Sequence, residues 1–105
     1  MDTAKTDRLK AGGWRTGDAA DFLGLSPEEA AFVELKLALA DHLRDVRVGH
    51  GWTQTHVARL LGSSQSRVAK MEAADPTVSI DLLVKSLLTL GVSREQVGRV
   101  IARAA

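Results

Sequence analysis

The sequence contains no cysteine, only two prolines and no long apolar run. The absence of cysteine excludes disulfide bonds, thiolate metal sites and cysteine-dependent catalysis, and it fits a reducing compartment. No apolar stretch approaches the roughly 18 residues of a membrane-spanning helix. The first ten residues, MDTAKTDRLK, lack the apolar segment of a secretory signal. We therefore expect a cytoplasmic protein that has no membrane partner.

The bulk composition is that of an ordinary globular domain, with 105 residues, 45% hydrophobic and 26% charged. The net charge of +1 is uninformative, but its distribution is uneven. Residues 18–45 carry seven acidic side chains, whereas residues 47–70 carry none and include four lysines or arginines and two histidines. A basic segment inside a near-neutral chain favours a polyanionic partner.

Helix signals divide the chain after a polar, glycine-containing arm at residues 1–17, which holds Trp14. We expect a single domain over residues 18–105, beginning with a short helix in GDAADFLG. Capping residues and helical apolar spacing then predict five main helices. Their expected ranges are about 27–48, 54–61, 65–73, 80–90 and 94–104. Since no alternating run suits a strand, the predicted fold class is all-α.

The long first helix has an apolar stripe that we expect to face the core, and so have the helices after it. The stripe residues, in chain order, are Phe32, Leu35, Leu39, Leu43, Val46, Val57, Leu60, Leu61, Val68, Met71, Leu82, Leu83, Leu87, Leu88 and Leu90. Trp52 precedes a cap residue and is expected to pack between helices.

The segment TQTHVARLLGSSQSRVAKME, residues 53–72, contains two short helices separated by a glycine and two serines. With Val68 and Met71 turned inward, the second helix directs Gln65, Ser66 and Lys70 outward. A polar helix face of this kind is usually plain solvated surface. Its short, amide-rich tip also suits base edges in DNA, because glutamine can bond adenine through a donor and an acceptor.

This segment resembles the helix-turn-helix of Xre-type regulators, the phage-repressor family. The residues that carry the resemblance are Gln54, Ala58, Gly62, Gln65, Val68, Met71 and Glu72. The resemblance implies a five-helix repressor-like bundle with a central helix-turn-helix and a long preceding helix. One residue departs from the family pattern: Ser63 stands where an apolar residue usually packs inward, which predicts a looser turn.

Site roles follow from the same resemblance. Gln54 is expected to contact a phosphate and to buttress Gln65, and Arg47 is expected to form a buried structural ion pair with Glu72. The major-groove face and the neighbouring backbone contacts together make up the predicted DNA-binding set. Its members are Gln54, Thr55, Ser64, Gln65, Ser66, Arg67 and Lys70.

The flanking segments DFLGLSPEEAAFVELKLALADHLRDVR and DPTVSIDLLVKSLLTLG resemble HigA-type antitoxins and their stand-alone relatives. We expect a DNA-binding repressor that acts as a homodimer on a palindromic operator, with Val97, Val100 and Ile101 in the dimer interface. The alternative is an antitoxin that neutralises a RelE- or HigB-like ribonuclease and represses its own operon. The sequence leaves both open.

Catalysis and metal binding have little support in the sequence. His42, His50 and His56 are spaced by eight and six residues, which is not the spacing of a metal-binding helix face, and HExxH is absent. We found no nucleophile beside a base and no glycine-rich phosphate loop. We therefore expect no enzyme activity, no cofactor and no metal; a small helical enzyme is a third alternative.

Overall fold

A computed structural model of the protein describes residues 24–104 and shows five helices in that range. Their bounds are α1 Pro27–Gly49, α2 Gln54–Leu61, α3 Gln65–Glu72, α4 Ile80–Thr89 and α5 Arg94–Arg103. No strand occurs in the part of the chain described, so the all-α prediction is confirmed. The predicted arm with Trp14, the short helix before Gly24 and the proposed domain boundary lie outside the described residues.

Serine and threonine side chains begin all five helices. Ser26 caps α1 in a reciprocal capping box, because its hydroxyl accepts from the Glu29 N–H at 3.1 Å and its own N–H donates to the Glu29 carboxylate at 2.8 Å. Ser93 and Gln96 form a second capping box at α5. These local signals placed every helix start correctly, and the observed helix ends fall within one residue of the predicted ends.

The core is built around the carboxyl-terminal two thirds of α1. Leu39 and Leu43 are fully buried there, and every other helix contributes at least one buried apolar side chain. Those side chains are Val57, Ala58, Val68, Met71, Leu83, Leu87, Val97 and Val100. Helix α1 packs against α3, α4 and α5, and α2 packs against α3 and α4.

Three residues of the predicted apolar stripes are exposed. Phe32, in the first third of α1, is 55% exposed, although Ala30 in the same part of the helix is buried. Leu60 and Leu88 are 45% and 41% exposed. They lie at the edges of their stripes, beside Val57 and Leu87, which are completely buried.

The predicted dimer residues of α5 divide into two groups. Val97 and Val100 are each only 6% exposed and belong to the core of the single chain. Both valines are therefore largely covered within the single chain, where α5 packs on α1 and α4, and they leave little surface for a second copy. Ile101 is 39% exposed, so the interface prediction remains for this residue alone.

Candidate nucleic-acid interface

Helices α2 and α3 are joined by a tight turn at Gly62, which adopts a left-handed conformation with φ of 64° and ψ of 38°. The Ser63 N–H donates to the Ala58 carbonyl at 2.8 Å, and the Gly62 N–H donates to the Arg59 carbonyl at 3.2 Å. This pair of bonds is a Schellman motif, which satisfies the last carbonyls of α2. The looser turn that Ser63 suggested is therefore not observed; the serine is half-buried and the turn closes normally.

The small side chain of Ala58 is buried in the core cluster where α2 and α3 cross. On α3, Val68 and Met71 are also buried and face the core. A larger side chain at Ala58 would separate the two helices. Because α3 is fixed by this inward face, its opposite face must lie on the molecular surface.

The outward face of α3 is polar and positively charged. Ser64 caps the helix through a 3.2 Å bond from the Arg67 N–H to its hydroxyl, and its side chain remains exposed. The exposed side chains of this face are Ser64, Gln65, Ser66, Arg67 and Lys70, with Thr55 exposed on α2. No acidic residue occurs between Arg47 and Lys70, so this surface suits phosphate.

The glutamines that begin α2 and α3 are hydrogen-bonded to each other. The Nε2 of Gln65 donates to Oε1 of Gln54 at 2.6 Å. The Nε2 of Gln54 in turn donates to Oε1 of Glu72 at 3.2 Å. The exposed tip of α3 is thus linked through a half-buried glutamine to a buried carboxylate.

Arg47 and Glu72 form a largely buried ion pair between α1 and α3, with side chains 17% and 6% exposed. The guanidinium donates twice, from Nε to Oε2 at 2.6 Å and from Nη2 to Oε1 at 3.0 Å. Its Nη1 also donates to the Trp52 carbonyl at 3.1 Å. One arginine therefore fixes the position of α3 and of the loop that leads into α2.

An aromatic cluster surrounds the start of α2. The Trp52 ring stacks on His50 with centroids 4.1 Å apart and an angle of 10°, and His56 lies 5.5 Å away on a tilted ring. Trp52 also packs against the core, as expected. From the sequence the histidines were considered only as metal ligands; the positions of His50 and His56 on both sides of Trp52 were the available signal for this cluster. Within residues 24–104, no group of histidine and acidic side chains could hold a metal ion.

The loop after α3 is held by a local turn at Asp75 and by a long-range contact that the sequence did not reveal. Lys36 donates from Nζ to the Asp75 carbonyl at 2.8 Å, across 39 residues of chain. The Thr77 hydroxyl and N–H donate to the Asp75 carboxylate at 2.7 and 2.9 Å, and these bonds lower the pKa of Asp75. A residue pair so distant in sequence leaves no local pattern.

Comparison with known proteins bears on this geometry. Within the part of the chain described, no helix is long and apolar enough to cross a membrane. No curated protein and no solved structure matches the chain. The model of a family described as a helix-turn-helix domain matches residues 38–100, which is more than half of the chain and includes α2, the turn and α3. The chain therefore belongs to the helix-turn-helix domain family.

Proposed function

We propose that the protein binds duplex DNA at specific sequences and regulates transcription as a repressor of the Xre type. A helix-turn-helix presents its second helix to the major groove. The observation that carries the proposal is the outward face of α3: polar, free of acidic residues and held at its tip by the bond from Gln65 to Gln54. A helix face that contacts only solvent does not require its first residue to be held by a hydrogen bond to the preceding helix.

In the proposed complex the outward face divides into two kinds of contact. Gln65, Ser66 and Lys70 reach base edges, where the Gln65 amide matches the donor and acceptor of adenine. Arg67 and Ser64 lie beside the phosphates, and so do Gln54 and Thr55 at the start of α2. Backbone contacts orient the protein on DNA, whereas base contacts select the sequence.

We further propose that two copies bind a palindromic operator. Regulators of this architecture place two recognition helices about 34–36 Å apart, one turn of DNA. Ile101, exposed on α5, is the residue we assign to the contact between copies. Repression would then follow from occupancy of the operator.

A second candidate function is that of an antitoxin bound to a RelE- or HigB-like ribonuclease. The observation that favours it is the exposure of Phe32 and Val33, at 55% and 41%, in the flank that resembles HigA-type antitoxins. Gene context separates the two functions, because an antitoxin gene is expected beside a small reading frame for a basic, RelE-like protein. Co-purification of that protein with this chain, lost on Phe32→Ser, would support the antitoxin.

The experiment that tests DNA recognition is in vitro selection of bound duplexes from a random pool, followed by affinity measurements on the selected site. Gln65→Ala should weaken binding to that site by about 1–3 kcal/mol and relax preference at one base pair. Arg67→Ala should weaken binding to all sequences and reduce the salt slope by about one. Arg99→Ala on α5 is the matched control and should change neither.

Two outcomes would contradict the proposal. If no sequence is enriched from the pool, recognition of specific DNA is wrong. If Gln65→Ala weakens binding to the selected and to random duplexes equally, Gln65 does not read a base.

A further inference from the structure

Glu72 lies at the end of α3, and its side chain is only 6% exposed, so it does not itself reach DNA. Its carboxylate accepts three hydrogen bonds. Two come from Arg47, and the third comes from Nε2 of Gln54. The buried carboxylate therefore contacts the glutamine pair through Gln54 and does not contact Gln65 directly.

The chemistry of a carboxylate fixes the direction of this chain of bonds. An ionised carboxylate can only accept, whereas an amide can donate from one side and accept on the other. Gln54 must therefore turn its NH₂ group toward Glu72 and its oxygen toward Gln65. That oxygen accepts from Nε2 of Gln65 at 2.6 Å, which leaves the Gln65 oxygen and one of its N–H groups without a role in the chain of bonds.

This direction determines what Gln65 can offer to a base. One acceptor and one donor match adenine, which presents an N6 donor and an N7 acceptor in the major groove. A reversed Gln54 would donate to the Gln65 oxygen and leave both Gln65 N–H groups outward. Two donors match guanine, which presents the acceptors N7 and O6.

We propose that Glu72 is a specificity-determining residue: by fixing the orientation of the Gln54 amide, it makes Gln65 select adenine over guanine. This inference rests on the proposed function, because it requires Gln65 to contact a base. Glu72 is a positioning residue, since it acts on the base only through Gln54 and Gln65. Arg47 holds the carboxylate in place by its two-point contact.

The direct test is Glu72→Gln, which is nearly isosteric. In the wild type Oε2 accepts from Arg47 Nε at 2.6 Å, whereas Oε1 accepts from both Arg47 Nη2 and Gln54. Arg47 carries only donors, so keeping its shorter bond places the new amide oxygen at the Oε2 position. The new NH₂ then takes the Oε1 position, where it loses the Nη2 bond and presents a donor to Gln54. Gln54 and then Gln65 reverse in turn. In selection from a random pool, the variant should change the preference at the Gln65 position from adenine to guanine by about tenfold or more. An unchanged adenine preference in the folded variant would overturn the proposal.

Two further variants separate this effect from a loss of stability. Arg47→Lys weakens the ion pair but keeps the carboxylate, so the adenine preference should persist. Gln54→Ala removes the link, so adding Glu72→Gln to it should cause no further change in base preference. A change of equal size with and without Gln54 would mean that Glu72 acts through the general structure of the domain.

A second pair of variants does not depend on whether Glu72→Gln folds. Gln54→Lys places only donors beside Gln65 and should favour guanine. Gln54→Met places a thioether, which is at most a weak acceptor, beside Gln65 and should not favour guanine. Gln54→Lys also alters affinity through its charge. The same base preference in both variants would refute the proposal that the side chain at position 54 controls which base Gln65 selects.

The failure of this inference and the failure of the proposed function give different results. If the wild-type chain selects no sequence, the function itself is wrong. If the wild-type chain selects a site and Gln65→Ala relaxes one position, but neither Glu72→Gln nor Gln54→Lys alters the base preferred there, only the inference about Glu72 fails.

Discussion

Removal of the Arg47 guanidinium should be among the most destabilising single changes in the domain. Arg47→Met keeps most of the aliphatic length but deletes two bonds to Glu72 and one to the Trp52 carbonyl. It leaves a carboxylate that is 6% exposed without its cation. Breaking a buried pair from one side costs about 3–5 kcal/mol. At about 0.05–0.15 kcal/mol per residue, a domain of this size has only about 4–12 kcal/mol in total.

The measurement is urea unfolding followed by the far-ultraviolet circular dichroism of the helices. With a urea slope of about 1 kcal/mol/M for a small domain, Arg47→Met should lower the midpoint by about 3–5 M. Arg59→Met, an exposed arginine of α2, is the matched control and should stay within about 0.5 kcal/mol of wild type. The double variant Arg47→Met, Glu72→Met should recover most of the loss, because apolar replacement of both partners is often neutral.

The reasoning fails if Arg47→Met costs less than about 1 kcal/mol, the range of exposed ion pairs. It fails in a different way if the double variant is as unstable as the single one. In that case the lost bond to the Trp52 carbonyl and the altered packing, rather than the unpaired carboxylate, would dominate.

Three other changes test separate features of the domain. Ala74, two residues beyond the end of α3, has a φ of 53°, so Ala74→Gly should stabilise the domain by about 0.5–1 kcal/mol in urea unfolding. The control Ala73→Gly, at a right-handed position, should not stabilise it. The lowered pKa of Asp75 adds stability above the unfolded-state value of about 3.9, and this is lost as the pH falls through the folded-state pKa. Asp75→Asn should therefore reduce the loss of stability in acid, measured as urea midpoints against pH; an unchanged profile would contradict this. Ile101→Asp should remain folded by circular dichroism yet sediment as a monomer, and a dimeric variant would exclude Ile101 from the interface.

The helices were predictable because their signals are local. Ser26 with Glu29 and Ser93 with Gln96 form capping boxes from residues three positions apart, and the structure contains both. Gly62 stands between two apolar blocks, a position typical of a left-handed helix stop, and its φ is positive. Features encoded within one turn of helix can be read without knowing the tertiary structure.

Features that depend on what covers a helix were harder to predict. The spacing of Val97, Val100 and Ile101 identifies an apolar stripe on α5, but it does not say whether the covering surface belongs to the same chain. The domain's own core buries the two valines. Phe32 shows the opposite case, because it continues the stripe of Leu39 yet is 55% exposed.

The candidate site shows the same division. Family resemblance named the participants Arg47, Gln54, Gln65 and Glu72, but it did not give the directions of the bonds among them. Those directions depend on which side chain can only accept hydrogen bonds. The fold supplies that side chain by placing the Glu72 carboxylate of α3 within 3.2 Å of the Gln54 amide of α2. The contact of Lys36 with Asp75 is long-range in the same sense.

The arrangement around Glu72 couples stability to recognition. The Glu72 carboxylate accepts from both Arg47 and Gln54, and its Oε1 accepts from the two together. A change at Glu72 that alters base preference must therefore also weaken the contact between α1 and α3. A change at Gln65 has no such cost, because that side chain is exposed and, among residues 24–104, its only side-chain hydrogen bond is to Gln54. Base preference should therefore be altered at Gln65 with little loss of stability and at Glu72 only with a large one. Urea midpoints measured on the variants selected for each preference would show this difference directly, and equal midpoints for Gln65→Ala and Glu72→Gln would mean that the two roles of Glu72 are independent.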